Sequence, residues 1–447
     1  MQNLLQKFKN IIHKGQAIWA RNRFRYPDKK LTLIGVTGTD GKTTVTTMIY
    51  HILHESGLPT GYISTIKAKI EEKEFDTGLH VTTPNPWVIP KYLKMMVDSG
   101  IKYVVIEATS QGLEQNRLYG LTFDSVVITN IRYDHLDYHI SWENYAEAKF
   151  KLLEMVTDKG LAVLNQDDEK SFKWLLLQSD RLKKYVYISI ASEKMLFNRR
   201  QNINGIFFDY DNFPFNVPII GEYNFINSLQ AIKLCQRYVD FQKIRKALST
   251  FGELEGRMQI MKKNPFVIII DFAHTPRALE SALRSMINLK QNGGRVITVF
   301  GCAGKRDKGR RNMGRIAASF GDIIILTAED PRDEKLYDIN NEIIKKAEEA
   351  RGKLLFRLSD HEDYLEINFQ MLINSINQSV NADEKPIIAF DEDSPNSRKD
   401  AINLAIKIAR KNDIVFITGK GHEKSLAFGK KEYDWSDQEV VKELINR

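Results

Sequence analysis

From Leu31 onward the chain alternates short apolar runs of strand length with longer amphipathic ones. LTLIGVTG reads as a buried strand and TTVTTMIYHILHESG as the helix that follows it. YLKMMVDSG then reads as helix, IKYVVIEAT and DSVVITNI as strands, and YAEAKFKLLEMV as helix. Near-continuous β-branched strands separated by helices predict an α/β fold, with a mostly parallel sheet covered on both faces. Residues 196–220, rich in Asn, aromatics and Pro, carry a weaker strand pattern that closes this first block. The pattern resumes past GELEGRM, where PFVIIIDFAH, GRVITVFGC, GDIIILTAED, PIIAFDE and DIVFITGKG are strands, and RALESALRSMI and AINLAIKIARK are helices between them. The expected organisation is an arm over 1–30, a phosphate-loop ATP-binding unit over 31–250 and a Rossmann-like α/β unit over 251–447. Two blocks of similar size suggest a cleft, with ligands at the carboxyl ends of the strands.

Composition narrows the class. At 447 residues, with 43% hydrophobic and 27% charged, the chain reads as a soluble globular protein large enough for several cores. No apolar run approaches the roughly 18 residues that cross a bilayer, and the N-terminus has no signal-peptide pattern, so a cytoplasmic location is expected. Cys235 and Cys302 are far apart and form no CxxC pair, which argues against a disulfide framework and a Cys-rich zinc site. The 65 Lys and Arg against 57 Asp and Glu give a charge of +8. Residues 1–30 hold eight basic residues against one acid, Asp28, and therefore supply +7 of that total. The remainder is nearly balanced, which argues against a nucleic-acid-binding body. In the arm, Leu5, Phe8, Ile12 and Trp19 fall near helical spacing. Such a helix either lies on a membrane surface, binds a partner, or packs on its own protein with its basic residues outward.

Candidate chemistry begins at GVTGTDGKTTV, residues 35–45, between a predicted strand and a predicted helix. Gly38 and Gly41 let the backbone of Gly38, Thr39, Asp40 and Gly41 turn its amides toward phosphate, and the helix N-terminus adds positive charge. Lys42 can reach a transferring phosphoryl group, and hydroxyls at Thr43 and Thr44 follow, with Thr43 suited to Mg²⁺. The spacing departs from GxxxxGKT, because Val36 stands five residues before Gly41. Glu107 ends the apolar run YVVIE, where a carboxylate is costly to bury alone. DHLDYH, residues 134–139, offers Asp134, His135, Asp137 and His139 beyond another strand. Together these groups suggest a metal and phosphate pocket.

The ordered stretches GVTGTDGKTT, HVTTPNP, VVIEATSQGLEQNRLYG, VVITNIRYDHLDYH, YAEAKFKLL, LNQDDE, GEYNFINSLQA, LEGRM, IIDFAHTP, VFGCAGKRDKGRRNMG, LTAEDPRDE and ITGKGHE, from about residue 31 to 425, resemble the Mur ligase family. These are ATP-dependent amide-bond ligases of bacterial cell-wall precursor synthesis. The nearest resemblance is to the branch that adds the third residue to the muramoyl dipeptide. The resemblance implies ATP and Mg²⁺ held by Lys42 and Thr43, with Glu107 and His135 placing metal ions. It implies that Lys149 of YAEAKF is carbamylated by carbon dioxide and becomes an anionic oxygen ligand. It implies Asn224 and Asn227 near the nucleotide base, Arg257 as a hinge-region cation approaching the phosphates, and Asp271 and His274 lining the same cleft. Thr82, Thr83, Pro84, Ser110 and Arg117 match acceptor positions. Glu329, Asp330, Arg332, Gly419 and Glu423 match positions for the incoming amino acid.

The implied reaction is attack of a carboxylate on the γ-phosphoryl of ATP, giving an acyl phosphate and ADP, followed by attack of the amine and loss of phosphate. Both steps build negative oxygens, so cations and amides stabilise them by charge. Arg332 favours an amino acid with a distal carboxylate, such as meso-diaminopimelate, because a guanidinium pairs directionally. Three departures from the family pattern stand out: Phe272 for Tyr, Gln111 for His, and Asp330 for Asn, the last adding charge that suits an ammonium. Only 34 residues precede Gly35 where the family carries a uridine-binding domain, so an acceptor without UDP, or lipid-linked, is the alternative, as is lysine in place of diaminopimelate. The expected partners are a small muropeptide-type acceptor and an amino acid, with no nucleic acid, and the expected state is a monomer. A kinase or a nucleotide-binding regulator would be the reading from a different class.

Overall fold

The computed structural model describes residues 2–64, 67–75, 83–134, 136–291, 293–305 and 308–446. Two compact units emerge, one of Met1–Arg200, Ile206–Pro218 and Tyr223–Phe251, the other of Gln201–Gly205, Ile219–Glu222 and Gly252–Arg447.

The first unit opens with α1 (Gln2–Arg23) and is built on a sheet of eight strands among the described residues. They are β1 (Thr32–Thr37), β2 (Thr60–Ile63), β3 (Ala68–Ile70), β4 (Lys73–Phe75), β5 (Tyr103–Glu107), β6 (Phe123–Ile128), β7 (Val156–Asn165) and β8 (Val186–Ala191), in the order β4-β3-β2-β5-β1-β6-β7-β8. All pairs from β2 to β8 are parallel, and only β3 and β4 run antiparallel at one edge. Buried Leu33, Val104, Ile106, Val126 and Leu152 fill one face. The interior strands are apolar on both sides because helices cover both faces. A smaller antiparallel sheet follows, β9 (Phe197–Asn202), β10 (Gly205–Tyr210) and β11 (Phe213–Val217). Its mixed burial explains the weak strand pattern of 196–220 in the sequence.

The second unit carries β12 (Gln259–Lys262), β13 (Val267–Ile270), β14 (Val296–Phe300), β15 (Ile323–Leu326), β16 (Gly352–Leu358), β17 (Lys385–Phe390) and β18 (Ile414–Ile417), ordered β12-β13-β18-β14-β15-β17-β16. Only β12 is antiparallel to its neighbour. A hairpin, β19 (Ser425–Phe428) and β20 (Lys431–Asp434), follows β18. The core is Ile268, Ile270, Val299, Ile325, Ile388 and Val415 with the helices packed on them.

In both sheets the parallel strands end on one edge, and the loops there carry the motifs. In the first unit β1 lies between β5 and β6, so strand order reverses around it and a crevice opens at its carboxyl end. Among the described residues, no helix is long and apolar enough to cross a membrane.

Candidate active site

The phosphate loop leaves β1 and enters α2 (Lys42–Glu55). Its backbone is held by the neighbouring strand end. Thr39 N donates to Asn130 O at 2.9 Å. Asp40 N donates to Asn130 Oδ1 at 3.0 Å, and the Thr129 hydroxyl donates to Asp40 O at 2.6 Å. A Cβ at Gly38 would collide with the Thr129 hydroxyl, so only glycine fits against β6 there. Gly41 has φ +80°, and a Cβ on it would sit 2.5 Å from Asn227 Oδ1. Glycine is thus required twice, once by close approach and once by a left-handed turn. Lys42 folds back so that Nζ donates to Thr39 O at 2.8 Å, placing its charge over the loop. Thr44 is buried on the first turn of the helix.

Two residues of the pocket come from β5 and the helix Trp142–Glu154. Register places Glu107 beside Val36, so its fully buried carboxylate points at the first turn of α2. The Thr43 hydroxyl donates to Glu107 Oε2 at 3.0 Å. Lys149, buried in the helix, crosses to the loop and donates from Nζ to Gly38 O at 2.6 Å. Its Nζ also lies over the Tyr145 ring, 4.5 Å from the centroid. Burial, followed by the nearby charge of Lys42, pushes the Lys149 amine well below its ordinary pKa. A neutral amine is the form that adds to carbon dioxide, so the position fits a carbamate chemically. Thr43 and Glu107 supply hard oxygen donors that fit Mg²⁺. His135 lies outside the described residues. Among the described residues there is no cluster of three or more His, Cys, Asp or Glu arranged to hold a metal.

The acceptor-matching residues gather beyond β5. The Thr83 and Thr109 hydroxyls pair at 2.9 Å, and Thr109 N donates to Thr83 Oγ1. Arg117 donates to Thr83 O at 2.6 Å and to Gln115 Oε1 at 2.7 Å, so it braces the loop that carries Thr83 and Pro84. The Ser110 hydroxyl lies 3.0 Å from His139 Nε2, both buried. Thr82 lies outside the described residues. Asn224 and Asn227 are joined at 2.9 Å, and Asn227 abuts Gly41, which places this pair against the phosphate loop.

In the second unit the motifs again meet at strand ends. Asp271, just past β13, accepts from Met258 N and Ala273 N at 2.8 Å each. Burial raises its carboxyl, while Arg257 and these amides oppose the rise. Arg257 lies over the Phe272 ring at 4.4 Å, so the residue standing for the family's Tyr serves as an aromatic platform that needs no hydroxyl. His274 packs on the same ring, with Nδ1 2.8 Å from Phe272 O. Lys420, fully buried after β18, pairs with Asp330 at 2.9 Å and Glu423 at 2.5 Å. Ala427 N of β19 also donates to Asp330 Oδ1 at 2.9 Å. Asp330 and Arg332 both adopt left-handed backbone, φ +48° and +55°. Arg332 is fixed there by its N donating to Ala427 O at 3.1 Å, while its guanidinium makes no hydrogen bond or ion pair among the described residues. Burial pushes the Glu329 carboxyl up to about 8, and Oε2 has no hydrogen-bond partner among the described residues. Gly419 passes directly beside that carboxyl.

Sequence reasoning assigned no role to Thr129, Asn130, Tyr145 or Lys420, although all lie in quoted motifs. Thr129 and Asn130 had a legible signal, polar groups at the end of the strand next in line to the phosphate-loop strand. Tyr145, whose hydroxyl is 3.1 Å from Thr39 Oγ1, had none, since its partner is remote in sequence, and the pairing of Lys420 with Asp330 is equally remote.

Residues 36–235 match the Mur ligase middle domain, and residues 256–421 match the Mur ligase glutamate ligase domain. The chain is 33% identical over 446 residues to the UDP-N-acetylmuramoyl-L-alanyl-D-glutamate--2,6-diaminopimelate ligase of Clostridium perfringens (strain 13 / Type A), covering 97% of this chain and 82% of that protein. It is 32% identical to the protein of the same name from Chlamydia felis (strain Fe/C-56), covering 96% and 81%. A solved structure of a ligase of that name superposes with a TM-score of 0.62 at 24% identity, covering 97% and 83%. Mycobacterium tuberculosis folylpolyglutamate synthase superposes with a TM-score of 0.66 at 14% identity, covering 97% and 95%, a likeness of fold alone.

Proposed function

The chain belongs to the Mur ligase family of ATP-dependent amide-bond ligases, and from that premise we propose that it joins diaminopimelate to a muramoyl dipeptide, with ATP converted to ADP and phosphate. The family's use of ATP and Mg²⁺ extends to this chain. A cytoplasmic location is part of the reading, because the reaction consumes ATP.

The observation that carries the reading is Lys149: a fully buried amine, held against Gly38 O with its pKa pushed well down by burial, has no use in a simple nucleotide-binding turn. Thr43, Glu107 and Lys149, the last if carbamylated, would hold Mg²⁺, which would neutralise phosphate charge. The loop amides from Gly38 to Gly41 receive the phosphate oxygens, and Lys42 swings from Thr39 O to the γ-phosphoryl as the acceptor carboxylate attacks it. Thr83, Pro84, Ser110 and Arg117 position that acceptor, with Arg117 acting through the loop it braces. The acyl phosphate then meets the amine, and phosphate leaves. Within the second unit, Arg257 on its aromatic platform is a fixed cation suited to an anionic ligand, with Asp271 and His274 beside it.

Diaminopimelate is favoured over lysine by the state of Asp330. Its carboxylate is neutralised by Lys420 and occupied by Ala427 N, so the added charge is spent inside the protein. Arg332 keeps its guanidinium for a distal carboxylate, which lysine lacks and diaminopimelate carries. The test is ADP release with product mass, across diaminopimelate and lysine against the muramoyl dipeptide with and without UDP, in bicarbonate and Mg²⁺. A new amide with diaminopimelate supports the reading. ADP release that leaves phosphate on a hydroxyl, or an amide formed only with lysine, overturns it.

A further inference from the structure

Over residues 10–23, helix α1 is mounted with its apolar side outward. Toward the protein it turns Asn10, Ala17 and Ala20: Ala17 and Ala20 are buried, and Asn10 O accepts from Asn116 Nδ2 at 3.2 Å. Toward solvent it turns Ile11 (67% exposed), Ile12 (42%), Ile18 (47%) and Trp19 (61%), spaced i, i+1, i+7 and i+8 along one stripe. The stripe is bordered on one side by Lys14, whose ammonium is 4.5 Å over the Tyr119 ring, and on the other by exposed Arg23. In an ordinary surface helix the small and polar residues would face water and the isoleucines the core. Here that order is reversed. Trp19 is anchored only at one edge, ring centroids 4.6 Å from Trp87 at 78°.

We propose that this face docks on the surface of a bilayer containing anionic phospholipid. The choice of occupant rests on charge. Residues 1–30 hold +7 of the chain's +8, so the stripe sits in a strongly basic stretch of the sequence. An apolar face with a tryptophan and flanking lysines and arginines matches an interfacial helix lying in an anionic headgroup layer. The helix lies on the membrane and does not span it, in keeping with the absence of a spanning helix among the described residues. Trp87, Asn116 and Tyr119, which seat the helix, flank the Thr83–Pro84 and Arg117 segments in the same unit. Docking therefore brings the acceptor segments to the lipid surface, a consequence that rests on the ligase reading, whereas the docking itself does not.

The experiment is flotation of the full chain with phosphatidylcholine vesicles, with and without phosphatidylglycerol, at low and high salt. No substrate is present, so a failed ligase assignment leaves the result intact. The wild-type chain should float with the phosphatidylglycerol vesicles alone, and less at high salt. The I11S/I18S variant should bind at least about tenfold more weakly, because both side chains belong to the stripe that docking would bury. Its melting temperature and its ATP turnover with soluble substrates should match the parent, since both residues face solvent. Absence of binding to anionic vesicles, or equal binding by the variant, overturns the proposal. A dimer on gel filtration that the double substitution dissolves also overturns it and assigns the face to a second copy.

Discussion

At the scale of single residues, burial decides which titrating groups matter. Glu329 is buried with its folded carboxyl pKa raised from 4.5 to about 8. A raised carboxyl favours the fold when protonated, so the contribution is complete below about 4.5 and is lost as pH climbs through about 8. The stability of the second unit should therefore fall between pH 5 and 8, by a few kcal/mol at about 1.4 kcal/mol per pKa unit. Thermal melts of wild type and Glu329→Gln check this. The variant should lose the slope, and an unchanged slope would mean that other groups set it. Lys149 illustrates what the sequence conceals. A lysine in an amphipathic helix reads as solvated surface, and only its packing across to Gly38 shows that the amine is buried and its pKa pushed well down. Lys149→Ala should reduce turnover by several orders of magnitude, while Lys149→Arg, which holds a permanent cation, should not restore it. Steady-state ADP release in bicarbonate measures both. Asp330 teaches the reverse. Its charge looked like a change of substrate, yet Lys420 absorbs it, so Asp330→Asn should leave the preference between diaminopimelate and lysine within about threefold, a free-energy change well below the 1.4 kcal/mol that a tenfold shift requires.

At the scale of elements, the interior strands were legible because isoleucine and valine repeat over whole runs, as in β13 and β15, where both faces are covered. Short edge elements were not. β4 is KEF and β20 is KEYD, charged triplets and quartets with no periodicity long enough to read. The orientation of α1 was not legible either, since helical spacing identifies a stripe and not the side on which the protein lies. Buried charge also joins elements in ways no local pattern announces. Arg398, fully buried in the helix Asn396–Ile408, pairs with Asp437 at 2.8 and 2.7 Å and donates to Ala328 O and Thr418 O. One side chain thus ties two helices to the loops after β15 and β18 that carry Glu329 and Gly419. Asp437→Ala leaves the guanidinium buried without its partner and should cost about 3–5 kcal/mol, whereas the double variant Arg398→Met, Asp437→Leu should cost clearly less. Denaturant midpoints of the two would separate a charge penalty from a packing one.

At the scale of the whole molecule, the two units have separate cores and separate sets of candidate functional side chains. Lys42, Thr43, Glu107 and Lys149 converge in the first, and Arg332, Lys420 and Glu423 gather in the second. The sequence showed both blocks because each repeats the alternation of strand and helix. It concealed the boundary because residues 201–205 and 219–222 belong to the second unit while their neighbours belong to the first. A ligand that binds only the folded protein raises its melting temperature, and at a hundredfold excess over Kd the stabilisation is about 2.7 kcal/mol. The nucleotide shift should then depend on the first unit and the amino-acid shift on the second. Lys42→Met should erase the shift given by a non-hydrolysable ATP analogue with Mg²⁺ and leave that given by diaminopimelate. Arg332→Met should do the opposite, because it removes the guanidinium proposed for the distal carboxylate and leaves the residues of the phosphate loop unchanged. Loss of both shifts in either variant would mean that the two ligands share one site, and the division of labour between the units would be wrong.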